Sequence, residues 1–269
     1  MLENSRKHWI DYYNILPGET PRGFFVTFDT EDGHVGNVTV DGGGFRTTLG
    51  PNGRSNLAIA VSQFACVNSV PIVSTYLGNN IVMYNNQTIK LRDSCYSNTQ
   101  QLLLEMQMSA PDIQITFDHL GYATFNGNAN LLLPAYTRTG EFLEDSIAHK
   151  LGFHRTVEIV DVTNSDIQHY SIRPGTKALD LGDLFGPRAN LLLCCDELSN
   201  TVSHQVLAVV PVMSFPTRCG LSLAPPMSFK PLDDRCIYQE FTFRIYDTLL
   251  RRVSFLSNRP TCEVQIMHV

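Results

Sequence analysis

The side chains best suited to chemistry in this chain are spread out rather than grouped. Eight histidines, His8, His34, His119, His149, His154, His169, His204 and His268, each stand alone. The H-x-H and H-x-x-x-H spacings that place two imidazoles on one face of a strand or helix do not occur. His149 and His154 are five apart, and the helix expected around them ends between them. The seven cysteines, Cys66, Cys95, Cys194, Cys195, Cys219, Cys236 and Cys262, are odd in number and irregular in spacing. Several sit inside apolar runs, which reads as buried, reduced thiols acting as small hydrophobes. Cys194 and Cys195 are adjacent, so on a strand they point to opposite faces and do not readily share a tetrahedral metal. Asp29, Glu31, Asp32 and Asp41 are the nearest thing to a calcium cluster, and Asp180 with Asp183 has the same status. A solvated turn is the reading favoured for both groups. No G-x-S-x-G elbow is present; Gly220-Leu221-Ser222-Leu223-Ala224 comes nearest, among prolines. No phosphate loop is present either, and Gly42-Gly43-Gly44 reads as a turn between strands. Paired carboxylates drawn from distant strands are the remaining catalytic option, and the sequence nominates no pair. The expectation is a protein with no catalytic, cofactor-binding or metal-binding residues, and not an enzyme.

Composition points the same way. The chain has 269 residues, 43% of them hydrophobic and 17% charged, with a formal net charge of −6. That length supports a full core, and all-β sandwiches of this size often form one domain. Low charge leaves neutral surface that is easily buried against other subunits. A negative balance gives no basic footprint, so direct nucleic-acid binding is not expected. Arg251-Arg252 reads as part of a hairpin rather than a phosphate site. No run of about 18 apolar residues occurs, so no membrane span is expected. The first eight residues, Met1 to His8, lack the apolar core of a secretory signal. The sequons at Asn37-Val38-Thr39 and Asn86-Gln87-Thr88 are therefore read as chance matches.

The elements that would position any site are mostly strands. Phe241, Phe243 and Ile245 alternate with Thr242, Arg244 and Tyr246, and Cys262, Val264 and Ile266 alternate with Thr261, Glu263 and Gln265. That period of two puts one set in a core and the other outside it. Further strands are expected at 23–28, 45–49, 57–66, 112–117, 155–162, 189–195 and 205–212. Two short ones are expected about a turn at Asn85-Asn86. The alternation of Leu57, Ile59 and Val61 slips at Gln63, which predicts a bulge. Two short helices interrupt the strands. The first follows Ser97-Asn98, buries Leu102, Leu103 and Met106, and stops before Pro111. The second is expected over about 141–151, entered at Thr139 or Gly140, with Glu141, Glu144 and Asp145 early, His149 and Lys150 late, and Gly152 as its stop. Gly/Pro-rich loops are expected at 171–187 and 215–231. Strands do not alternate regularly with helices, which disfavours a parallel α/β sheet. The expected fold is all-β: an antiparallel β-sandwich (jelly roll) with two short inserted helices. Residues 1–21 are read as an N-terminal arm and 22–269 as a single jelly-roll domain.

Several phrases, in order, resemble a known group. Phe45-Arg46-Thr47-Thr48-Leu49 with Asn56-Leu57-Ala58-Ile59-Ala60-Val61 is similar to the opening strands of minor capsid proteins from Polinton-like elements, virophages and related large DNA viruses. Gln87-Thr88-Ile89-Lys90-Leu91 through Leu102-Leu103-Leu104-Glu105-Met106 resembles their strand and leucine-rich helix. Ile147-Ala148-His149-Lys150-Leu151-Gly152-Phe153 resembles their second helix and its Leu-Gly-Phe corner. Asn190 to Glu197, Val206 to Val212 and Phe241 to Asp247 complete the order, which spans about 40–269. The resemblance implies a virion capsid protein, most simply the penton: a homopentamer at icosahedral vertices that contacts the major capsid protein and other minor capsid proteins. It implies no catalytic residues and no cofactor. The chain departs from some members of that group in lacking large insertions, which argues against a receptor-binding domain.

Two other functions are compatible with the strand pattern. One is a minor capsid protein at a non-vertex position. The other is a jelly-roll module that binds a receptor or glycan, with Tyr76, Tyr84 or Tyr136 as stacking platforms. A sandwich-fold enzyme such as a cupin-type oxygenase ranks below both, for want of an H-x-H.

Overall fold

The computed structural model describes residues 22–28, 35–39, 45–46, 57–67, 69–136, 140, 142–155, 157–162, 167–198, 205–212, 218–222, 228–232, 237–238, 240–256 and 260–268. The expected arm at 1–21 lies outside them. In chain order the strands are β1 (Arg22–Thr27), β2 (Val35–Thr39), β3 (Phe45–Arg46), β4 (Leu57–Val67), β5 (Ile81–Tyr84), β6 (Gln87–Lys90), β7 (Ile115–Phe117), β8 (Ala123–Phe125) and β9 (Leu131–Pro134). They continue as β10 (Glu158–Asp161), β11 (Gln168–Ile172), β12 (Asn190–Cys195), β13 (Val206–Pro211), β14 (Arg218–Ser222), β15 (Lys230–Pro231), β16 (Ile237–Tyr238), β17 (Glu240–Asp247) and β18 (Thr261–His268). The α-helices are α1 (Thr99–Ser109) and α2 (Ile147–Lys150). The chain packs as two compact units, one made of 1–69, 190–213 and 217–269, the other of 70–189 and 214–216.

The first unit is a jelly roll. One sheet runs β1-β18-β4-β14, with β15 also paired to β4, and the other runs β13-β12-β17-β2. Every pairing in them is antiparallel. Of the eight principal strands the first pairs with the last, the second with the seventh, the third with the sixth and the fourth with the fifth. That is a single long hairpin rolled into two facing sheets. The core follows the period of two. Phe241, Phe243 and Ile245 are fully buried, and Thr242, Arg244 and Tyr246 between them are half-buried. Cys262, Val264 and Ile266 are buried in the same manner on β18. In β4 the whole run Leu57–Val61 is buried, with small Ala58 and Ala60 on the second face. The phase slip is a bulge. Val61 pairs with Val264 and Gln63 with Glu263, which leaves Ser62 as the extra residue. Its hydroxyl donates to the Glu263 carbonyl at 3.0 Å.

Residues 70–189 stand between the third and fourth strands of that roll. The sequence reading gave 22–269 as one jelly-roll domain without a large insertion; in the structure all eight jelly-roll strands lie in 22–67 and 190–268. The second unit has its own antiparallel sheet, β10-β11-β9-β5-β6, and the separate hairpin β7–β8. Asn85 and Asn86 have φ of 49° and 59°, the two left-handed positions of a tight hairpin turn between β5 and β6. Helix α1 begins as its sequence implies. The Asn98 side chain accepts from Gln101 N at 2.9 Å, and the Gln101 side chain accepts from Ser97 N at 3.0 Å. Leu102, Leu103 and Met106 face the core.

The second helix is much shorter than expected. Only Ile147–Lys150 is helical, and Ser146 caps it, accepting from Ala148 N. The reason lies upstream. Leu143 N donates to the Ala135 carbonyl at 2.9 Å, and Phe142 bridges Tyr136, so this stretch is held extended against the end of β9. Gly152 does stop the helix, at φ +81°. Strands β2, β8, β9, β11, β14 and β15 fall where no strand was expected.

Candidate functional site

Two polar constellations stand out among the described residues, both in the second unit. The first is enclosed. Lys150 and Asp145, each about 1% exposed, form an ion pair at 3.7 Å, and Lys150 Nζ donates to the Leu184 carbonyl at 2.9 Å. Asn79, fully buried, donates to the carbonyls of Ile72 and Asp145 at 2.9 Å and accepts from Ser74 N. Ser146 Oγ donates to the Pro134 carbonyl at 2.6 Å. Arg188, also fully buried, donates to the Pro71 carbonyl. Charges this deep persist only when paired and hydrogen-bonded. Here they tie together the segments around 71–80, 134, 145–150 and 184–188. The arrangement holds the backbone and presents nothing to a substrate.

The second constellation is one that spacing alone discounted. The rings of His149 and His154 stack at 4.3 Å with an 18° interplanar angle. The left-handed turn at Gly152 reverses the chain and brings them together. Phe142 and Tyr170 meet His149 edge-on at 5.5 and 5.8 Å, and Tyr136 packs edge-on against Phe142 at 5.4 Å. Asp180 Oδ2 lies 3.4 Å from His154 Nε2 and 3.5 Å from Arg155 Nε. Burial first, then the neighbouring His154 and Lys150, push the His149 pKa down to about 4. Its imidazole is therefore neutral at pH 7. Two imidazoles and a carboxylate can bind a metal when they converge on one point, but no group of three such side chains is placed to hold an ion among the described residues. The signal that could have found this pair was Gly152 between them, a reversal point rather than an end.

The other residues singled out by sequence are dispersed. Asp29, Glu31, Asp32, Asp41 and Gly42-Gly43-Gly44 lie outside the described residues. Asp183 accepts from Gly186 N at 2.8 Å, closing a turn. Cys194 and Cys262 are buried thiols with pKa pushed up to about 12, chiefly by desolvation, and burial and then Glu197 hold Cys195 well above the usual thiol value. Such thiols are poor nucleophiles. Arg251 does sit in a hairpin, where Asp247 Oδ2 accepts from its Nε at 2.8 Å. Of the three tyrosines, Tyr76 is exposed. Tyr84 is buried, with its hydroxyl donating to the Asn128 side chain, and Tyr136 is half-buried against Phe142.

What the second unit does expose is apolar. Leu120, Leu179 and Leu181 are 62%, 65% and 57% exposed, and Leu104 and Met108 stand outward on α1. An open groove of about 410 Å³ runs past Asn98, Thr99, Gln100, Phe117, Gly121 and Gly182. No helix among the described residues is long and apolar enough to cross a membrane.

No protein-family model matches the chain, and no curated protein sequence does. Several solved chains resemble it, among them two from viral structures. The mavirus penton protein aligns with a TM-score of 0.43 at 10% identity, covering 93% of this chain and 100% of that one. A chain of the Sputnik virophage structure also scores 0.43, at 9% identity, covering 94% of this chain and 98% of its own. Similarity of that depth carries no argument by itself, and the strand order in the first unit is what defines the fold.

Proposed function

We propose that this chain is a structural subunit of a viral capsid, most simply the penton, assembling as a homopentamer at icosahedral vertices beside major and other minor capsid proteins. The observation that carries the reading is the rolled-hairpin order of the first unit, whose strands β4, β12, β13 and β17 fall in segments that resemble, in order, virophage-type minor capsid proteins. Fold alone does not fix function. The support is the coincidence of topology with ordered sequence likeness. A polypeptide with 17% charged residues, and with leucines left outside the second unit, has surface suited to burial against neighbours. The virion is then its location, and its work is done by shape, with no catalytic, cofactor-binding or metal-binding residues.

Closing a ring needs one heterologous interface repeated by rotation. A stable one buries on the order of 2,000 Å² in total. The test is co-expression with a major capsid protein followed by purification of the shells. The subunit is expected in the shells at a fixed low ratio. Shells that close and purify without it contradict the reading.

A further inference from the structure

We propose that the groove between the start of α1 and the β7–β8 hairpin, together with the apolar side chains around it, is a docking face for a second copy of this chain, which presupposes the self-assembly proposed above and names one of its contacts. The groove holds about 410 Å³ and is lined by Asn98, Thr99, Gln100, Phe117, Gly121 and Gly182. Large apolar side chains border it. A Cβ on Gly121 would lie 3.4 Å from Leu181 Cδ2, so the Leu181 side chain stands over the hairpin tip that carries Leu120. On the helix, Leu104 and Met108 follow Gln100 at steps of four residues, which keeps them on the same side of α1. Leu104, Met108, Phe117, Leu120 and Leu181 are between 39% and 70% exposed.

Area and charge single out the occupant. These side chains leave on the order of 500 Å² of apolar surface open to solvent, the size at which a patch marks a contact site. An interface of standard size buries about 800 Å² on each partner, roughly 60% of it apolar, and so about 500 Å². The residues lining the groove are all uncharged. The charges next to it are spent on each other, Asp118 on Lys177 at 2.8 Å and Glu105 on Arg92 at 2.7 Å. A nucleic acid, an anionic lipid surface or a strongly basic protein finds no complementary charge there. A second copy, with its net charge of −6, meets this face without local repulsion. It also brings leucines to fill the groove and a groove to receive leucines.

The face is set before contact. The Asp118 carboxylate accepts from Leu120 N at 2.9 Å and from Tyr122 N at 3.0 Å, and the Asp118 carbonyl accepts from Gly121 N at 3.0 Å. Lys177 holds the same carboxylate through its other oxygen. The hairpin tip is thereby fixed with Leu120 outward, and the start of α1 is fixed by its Asn98 cap. A rigid apolar margin gives up little conformational freedom on docking, which lets a face of modest area hold a partner.

The experiment is sedimentation of the purified full-length chain over a range of concentrations, beside Leu120→Asp combined with Leu181→Asp. Ile159→Asp is the control, since Ile159 is an exposed apolar residue of the same unit, on β10 and outside the groove. The unaltered chain and the control are expected to dissociate at the same concentration. The double variant is expected to dissociate at a concentration about 100-fold higher or more. Both leucines are exposed, so folding is expected to be kept. If the near-UV circular dichroism changes, Leu120→Ser with Leu181→Ser takes its place, with about a tenfold shift expected. No shift in the folded variant, or an equal shift in the control, would overturn this docking face and leave the ring reading standing. An unaltered chain that keeps its 30.1 kDa mass at every concentration would remove both. A benzophenone side chain at position 120 is expected to cross-link to residues 92–122 or 177–183 of another copy, and cross-links to the first unit alone would also overturn the proposal.

Discussion

Strands β17 and β18 in the first unit and the segment 142–152 in the second are built on opposite principles. In β17 and β18 the apolar residues Phe241, Phe243, Ile245, Cys262, Val264 and Ile266 are buried at every second position, Thr242, Arg244, Tyr246, Glu263 and Gln265 between them are half-buried, and the register does the rest. In 142–152 the buried set includes Asp145, Ser146 and Lys150, and side chains fix the backbone: Ser146 and Lys150 donate to the carbonyls of Pro134 and Leu184, and Asn79 donates to that of Asp145. A patterned core draws its stability from area and tolerates a change of shape. A buried polar network depends on every partner being present.

The sharpest way to break that comparison is a matched pair of substitutions to methionine. Lys150→Met leaves Asp145 buried without its cation and is expected to destabilise the second unit by about 3–5 kcal/mol. Leu193→Met, in the jelly-roll core, is expected to cost less than about 1.5 kcal/mol. Denaturant-dependent hydrogen exchange reads the two units separately, and equal costs would refute the distinction. The next effect is at Gly152, where a Cβ would lie 2.0 Å from the Asp180 carbonyl oxygen and φ is +81°. Gly152→Ala is expected to cost roughly 3 kcal/mol, combining clash with left-handed strain. Gly175→Ala has the same φ and open space, and is expected to cost only about 1 kcal/mol.

A smaller effect is read by pH. His149 titrates lower in the folded protein than in the unfolded chain, about 4 against 6.5. The unfolded state therefore binds the proton first, and stability is lost as pH falls from about 6.5 towards 4. Because the ring is partly exposed, the loss is discounted to roughly 1–2 kcal/mol. His149→Gln is expected to flatten the stability profile in that window, and an unchanged slope would show that the stack is not responsible. Smallest is the cap of α1. Asn98→Ala removes the bond to Gln101 N and is expected to cost about 1 kcal/mol, measurable as earlier exchange of the helix amides.

The same contrast explains what the sequence disclosed. The alternation of β17 and β18, the slip at Gln63 and the Asn85-Asn86 turn are local signals with local causes, and each appears where expected. Helix α1 was legible from Asn98, Leu102, Leu103, Met106 and Pro111 for the same reason. Strands β9 and β11 were not. Leu131-Leu132-Leu133-Pro134 is a continuous apolar run ending in proline, without alternation, and His169 in β11 is buried through pairing with Pro134. The over-long second helix came from the charge order of Glu141, Glu144 and Asp145. The structure spends Asp145 on buried Lys150 instead, a partnership no window of propensity contains. The stacking of His149 on His154 was hidden because a glycine that ends a helix can also fold the chain back on itself. The boundary of the second unit was hidden most completely, since both units are built of short strands of similar composition.

The central claim is that this chain works by fitting copies of itself into a closed ring. Negative-stain imaging of the purified full-length protein at high concentration tests it most directly. Rings of five are expected, with a solution mass near five times the 30.1 kDa chain. A uniform field of single particles of one-chain mass, unchanged on concentration, would contradict it.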